Sequence, residues 1–200
     1  MIFVKSTRIK IKEAAAKLYG VYGFEGTTLK NIADKVGIKT PSIYNHFSSK
    51  QELFLEMYQE LLEEHYLQLK TILNELKDQP PKKQLYNILS RIMSYHLHNE
   101  EKTKITTRLL LFPPTSLQEE VSEYFLKIEE YERDILREIF NRGIANHEIK
   151  KKPIDDLITH FLCIMDGLFL ELHYYDYDTF LDKINIVWKY YWDGVKTESL

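Results

Sequence analysis

Between positions 39 and 50 the chain reads KTPSIYNHFSSK, with two ammonium groups bracketing the hydroxyls of Thr40, Ser42 and Tyr44. Such hydroxyls donate to phosphate oxygens and base edges, while Lys39 and Lys50 act as point charges for a phosphate backbone. Pro41 brings a fixed φ and no N–H, which suits the first turn of a helix whose N–H groups would otherwise be unpaired. Ile43 and Phe47 share the other face and point inward. The pattern is that of a binding element for a polyanion.

The charge distribution agrees. The 200 residues carry a net charge of −3, yet residues 1–50 hold nine Lys and Arg against three Asp and Glu, which leaves 18 against 27 for residues 51–200. A basic head joined to an acidic body attracts a polyanion at one end and repels it at the other. With 44% hydrophobic residues the chain can bury a core. No run of about 18 apolar residues and no secretory pattern is present, so a soluble cytoplasmic protein without a membrane span is expected. The single cysteine, Cys163 in HFLCIMDGLFL, excludes a disulfide framework and reads as a buried, inert thiol.

The elements that must position the 39–50 stretch are helical. Gly and Pro fall between segments whose apolar residues recur every three to four positions. A first helix over 6–22 has Ile9, Ile11, Ala15, Leu18, Tyr19 and Tyr22 as inner positions and is closed by Gly23 and Gly26. TTLKNIADKVG follows, capped by Thr27 or Thr28 and stopped by Gly37; then TPSIYNHF, which Thr40 can cap. The two short helices and their tight turn form a helix-turn-helix, the second helix being the one that enters a DNA major groove. A long helix starts at Ser48 or Ser49 and runs to the break DQPPKK. Further helices are expected at 81–98, 101–111, 116–146, 153–174 and 177–195. The expected fold is all-α with about nine helices: a three-helix DNA-binding domain over 1–50 and a larger helical bundle, for effector binding and dimerisation, over 51–200.

Residues 14–54, AAAKLYGVYGFEGTTLKNIADKVGIKTPSIYNHFSSKQELF, resemble the TetR family of one-component regulators. The shared features are the G-[FY]-x-x-T-[ST] entry, the I-A-x-x-[VL]-G helix and the [LI]-Y-x-H-F-x-x-K ending, over about a fifth of the chain. The resemblance implies a homodimeric repressor on a palindromic operator in double-stranded DNA. It places Thr28 and Lys30 near phosphates, makes Lys39, Thr40, Pro41, Ser42, Tyr44 and Asn45 the recognition set, and puts Lys50 on the backbone. Many members have Ser and Gly where this chain has Lys39 and Pro41. The Lys can read guanine or bind phosphate, so the operator sequence is not inherited.

For the body the resemblance implies two roles. The last two helices would form a four-helix dimer interface, here through Leu157, Phe161, Ile164, Gly167, Leu168, Leu181, Ile184, Trp188 and Tyr191. A mid-helix glycine costs about 1 kcal/mol against Ala, so a close approach by the partner helix, or by a ligand, is expected at Gly167. An internal pocket would hold a small effector, with Tyr66, Tyr95, Phe112, Phe125, Phe161, Asp166 and Phe169 as its lining. Asp166, alone in an apolar run, needs a cation, a donor or a proton. An aromatic or cationic effector would supply one; Arg108, His160 or plain solvent exposure would also serve. FPPTS, with Pro113 and Pro114, stiffens a bend near the implied hinge.

His96 and His98 are two apart and His160 and His173 thirteen apart, so neither pair has metal-ligand spacing, and no metal or cofactor is expected. An effector-independent DNA-binding protein or activator would share the same head and is the alternative reading. An all-helical enzyme using Asp166, Glu171 and a histidine is the rival from another class, but no ordered nucleophile, phosphate loop or metal motif supports it.

Overall fold

The computed structural model describes residues 6–198. Among them the helices are α1 (Thr7–Gly26), α2 (Leu29–Val36), α3 (Thr40–Ile43), α4 (Lys50–Leu76), α5 (Pro81–His98), α6 (Glu100–Leu111), α7 (Gln118–Ala145), α8 (Ile154–Glu171) and α9 (Tyr177–Val195), with short 3-10 turns at Thr115–Leu117 and Leu172–Tyr174. No strand occurs among the described residues beyond an isolated bridge between Ile149 and Lys196. The expected all-α architecture is observed.

The chain packs as two units, Met1–Glu64 with Glu100–Leu126, and His65–Asn99 with Lys127–Leu200. The packing therefore cuts the chain elsewhere than at residue 50. The first turns of α4 are tied to α1, and α6 lies on α1 so closely that a Cβ at Gly20 would stand 2.7 Å from Ile105 Cγ1.

In the first unit α1 buries Ile11, Ala14, Ala15 and Tyr19, while Ile9 and Tyr22 stand outside, contrary to their expected inner positions. α1 runs past residue 22 but breaks at Gly23, whose φ of 74° is reachable without strain by glycine. Ion pairs fasten its N-terminal half to α4: Arg8 Nη2 donates to Glu56 Oε2 at 2.6 Å, and Lys12 Nζ reaches Glu56 at 2.9 Å and also Glu60. The second unit is built on a core that includes Leu85, Ile88, Leu89, Ile92, Phe140, Ile158, Phe161, Phe180 and Ile184. Here a Cβ at Gly143 would stand 2.5 Å from Ile149 Cδ1, so it is Gly143 that admits a close approach. At Gly167 a Cβ would meet nothing within 4 Å in the chain.

Candidate nucleic-acid interface and effector region

The helix-turn-helix is assembled by local chemistry. Thr28 caps α2 in a reciprocal box: Asn31 N donates to Thr28 Oγ1 at 3.1 Å, and Thr28 N donates to Asn31 Oδ1 at 3.1 Å. α2 ends at Gly37 in the left-handed region, φ 79°, where its N–H donates to Ala33 O at 2.9 Å. Thr40 is the first residue of α3 rather than its cap; Lys39 stands at the cap position without a side-chain hydrogen bond, and Pro41 lies in the first turn. α3 is a single turn, shorter than its sequence suggested, and Phe47 N–H donates to Ile43 O at 3.0 Å. An element this short holds its shape only by packing. Ile32, Ala33, Ile43 and Phe47 supply that packing and are all buried.

Around this support Thr28, Lys30, Lys39, Pro41, Tyr44 and Asn45 are exposed, and Thr40 and Ser42 are half-buried. They lie on the solvent-accessible side of this element, outside its buried apolar support. Lys50 departs from that side. Its ammonium donates to Phe24 O at 2.8 Å and Thr27 O at 3.0 Å and lies 4.1 Å from the Phe24 ring centroid. Burial holds its pKa below the usual lysine value, with the Glu25 charge opposing. In this structure Lys50 caps the end of α1, where free carbonyls draw a cation.

In the second unit four helices bring ionisable groups together. His65 on α4 meets Glu132 on α7, Nε2 to Oε1 3.0 Å, and its ring stacks on His96 of α5 with centroids 5.6 Å apart. Burial opposes the charged form of His65, but the hydrogen bond to Glu132 and the charges of Glu132 and Asp166 outweigh it and raise its pKa. His96 is buried and pushed down to about 3 by that burial and by the neighbouring His65. Asp166 on α8 is exposed on its outer side, yet desolvation and the charges of Glu132 and Glu129 raise its pKa against the opposing His65. Phe169 packs edge-on to His96 at 4.8 Å, Tyr95 does the same at 5.4 Å, and Tyr66 and Tyr131 pair at 5.3 Å.

The structure therefore gathers Tyr95, Asp166 and Phe169 from the expected effector set and adds His65 and Glu132, while Tyr66 pairs with Tyr131. His65 and Glu132 stand 67 positions apart in the chain, so no local motif marks them. Phe161 lies fully buried in the core, against Phe140 and Tyr191. Phe112 is 73% exposed and Phe125 40%, and both belong to the first unit. Arg108 is not the partner of Asp166; it donates to Val21 O at 3.3 Å. Glu171 pairs with Lys183.

The expected dimer residues need a like correction. Leu157, Phe161, Leu168, Ile184, Trp188 and Tyr191 are buried in their own unit, with Ile164 and Leu181 half-buried against it. The side of α8 that faces outward runs Asp156, His160, Cys163, Gly167 and Leu170, on to Tyr174 beyond the helix; on α9 it includes Ile186 and Tyr190. Cys163 is thus exposed, not buried. Ile154–Tyr174 is also the one described span long and apolar enough to cross a bilayer, with mean hydropathy 1.2. Its apolar residues divide between the buried side and this outward one. Among the described residues no group of three or more His, Cys, Asp or Glu is disposed to hold a metal ion.

The packed helix-turn-helix on an all-helical chain, together with the matches that follow, identifies a DNA-binding transcriptional regulator. Residues 11–57 match the model of bacterial regulatory proteins, tetR family, which supports a TetR-family transcriptional regulator. Over 169 residues it is 25% identical to the probable HTH-type transcriptional regulator YttP of Bacillus subtilis, covering 84% of this chain and 80% of that one. The ketosteroid transcriptional regulator KstR2 of Mycobacterium tuberculosis shares the fold with a TM-score of 0.70 at 21% identity, over 98% and 97% of the two chains. FadR from Bacillus subtilis, solved in complex with stearoyl-CoA, does so with a TM-score of 0.73 at 19% identity, over 93% and 98%.

Proposed function

We propose that the protein is a homodimeric repressor that holds a palindromic operator through two helix-turn-helix heads and is released by a small molecule bound in the second unit. The observation that carries this reading is the placement of exposed Thr28, Lys30, Lys39, Pro41, Tyr44 and Asn45, with half-buried Thr40 and Ser42, on a buried Ile32–Ala33–Ile43–Phe47 support. One turn of helix touches only a few base pairs, so a twofold arrangement is needed to read a site of useful length. The outward side of α8 and α9, with Gly167, Leu170, Tyr174, Ile186 and Tyr190, is the surface for the second copy.

The effector region is the neighbourhood of His65, Glu132 and Asp166 with Phe169, Tyr95 and Tyr66. Aromatic edges beside carboxylates suit an aromatic or cationic molecule. FadR, of the same fold, was solved with stearoyl-CoA, which supports the effector reading in general and not this ligand class. Release needs a ligand that prefers the DNA-incompetent state; a hundredfold effect corresponds to about 2.7 kcal/mol of coupling. Such a regulator works in the cytoplasm on the nucleoid.

The test is selection of duplexes from a random library by the purified protein, with the stoichiometry of the enriched duplex. The reading expects a palindrome bound by two chains or a multiple of two. Enrichment of a non-palindromic site bound by one chain contradicts it.

A further inference from the structure

The acidic body has one strongly basic region. Residues 77–84, 142–153 and 189–198 contain nine of the 18 lysines and arginines found after position 50, but only four of the 27 carboxylates. The second unit brings these three segments to one place. Lys150 N–H donates to Val195 O at 2.8 Å, Thr197 N–H donates to Glu148 O at 3.1 Å, and Arg142 Nη1 donates to Lys77 O at 3.3 Å. Lys82 Nζ lies 5.5 Å from the Trp192 ring, and Asp193 feels the charges of Lys196, Lys189 and Lys82 together.

Internal pairing leaves much of this charge unspent. Asp193 takes Lys196 at 2.6 Å, and Lys150 Nζ reaches Gly194 O at 3.3 Å. The exposed ammonium groups of Lys77, Lys151 and Lys152 make no hydrogen bond or ion pair among the described residues, and those of Lys82 and Lys83, also exposed, make no ion pair within 4 Å there. Lys82 and Lys83 also occupy the first turn of α5, which holds no acidic residue. Cations at the positive end of a helix work against its dipole, so this arrangement opposes the stability of the free protein.

We infer that this pole is a second, sequence-independent contact for the phosphate backbone of duplex DNA, made by the body of the protein separately from its reading head. Lysines suit evenly spaced phosphates as point charges that need no fixed geometry. The one arginine, the side chain suited to bidentate carboxylate recognition, is engaged internally with Gln84 and Lys77 O. Tyr190 is the only exposed large apolar side chain in the three segments, so the apolar anchor of a membrane-surface site is nearly lacking.

The test uses the full chain with its head disabled by Lys39→Ala, Tyr44→Ala and Asn45→Ala, titrated with a random-sequence duplex across a salt series. That background should still bind. Adding K82Q, K83Q, K151Q and K152Q should weaken binding at least about tenfold at low salt and flatten the log–log salt slope by about 3 to 4. The equal charge change K70Q, K102Q, K104Q and K127Q should leave binding within about threefold. No binding by the head-disabled chain, or equal losses in the two quartets, overturns the inference. Binding to phosphatidylglycerol vesicles in place of duplex overturns it in favour of a membrane surface. Operator selection by the unmodified chain reports on the head alone, so its failure is distinguishable from failure of the pole.

Discussion

The imidazoles of His65 and His96 stack 5.6 Å apart and are shifted in opposite directions, His65 upward by Glu132 against its burial and His96 downward by burial. The two therefore act on stability with opposite signs. His96 binds its proton far more weakly folded than unfolded, so stability falls as pH drops below about 6.5, by about 2 kcal/mol by pH 5. His65 has a raised folded pKa, so its contribution is complete below about 6.5 and is lost as pH rises through the folded value. Thermal unfolding midpoints from pH 5 to 9 check this. His96→Gln should flatten the acid side, and His65→Gln the alkaline side.

Lys50 is expected to act as a positioning residue. Lys50→Met removes two hydrogen bonds to carbonyls of the α1 end, Phe24 O and Thr27 O, and should cost the fold about 1–3 kcal/mol. Operator binding should weaken, but the salt slope should stay as it was, because no phosphate contact is lost. Lys39→Ala should instead lower the slope by about 1 if it touches phosphate, or relax specificity at one base pair if it reads guanine. A slope change of about 0.9 in the Lys50 variant would return it to the phosphate-contacting set.

Two glycines should respond oppositely to alanine. Gly143→Ala drives a Cβ to within 2.5 Å of Ile149 Cδ1 and 3.3 Å of Pro81 Cβ, and overpacking of this kind costs about 1–3 kcal/mol. Gly167→Ala meets nothing in its own chain and should stabilise the monomer by up to about 1 kcal/mol through helix propensity. In the proposed dimer the added methyl lies in the seam, so sedimentation should show weaker self-association. Unchanged or tighter association would place the seam elsewhere.

Leu170 and Ile186 test the same surface by charge. Both are exposed, 41% and 58%, so Leu170→Asp and Ile186→Asp should leave the monomer fold intact within about 0.5 kcal/mol. Together they should give a monomer in solution and lower operator affinity at least about tenfold, since one head alone makes half the contacts. A double variant that remains dimeric would contradict the assignment of this face.

Much of this architecture was legible because it is local. Thr28, Gly37 and Pro41 announce caps, a turn and a start, and apolar periodicity carries α4 to α9 to within a few residues. What failed was the question of which way an apolar face turns. α8 is apolar on two sides, and periodicity alone does not say that Leu157, Phe161 and Leu168 face their own core while Gly167 and Leu170 face out. Lys50 misled for a related reason, because a cation beside a recognition element can serve a phosphate or a helix end equally well in sequence. Phe112 and Phe125 were chosen as aromatics alone, and aromatic type carries no direction. The His65–Glu132 pair was invisible because its members are joined only by the packing of α4 on α7.

The proposed function requires that the exposed residues around α3 read DNA. The most direct measurement is titration of the duplex enriched from a random library with the wild-type chain and with the Tyr44→Ala, Asn45→Ala double variant, at two salt concentrations. Salt-sensitive binding by the wild type is expected, with a loss of at least about tenfold in the variant and an unchanged thermal midpoint. Equal affinity of the two proteins for that duplex would contradict the proposed function.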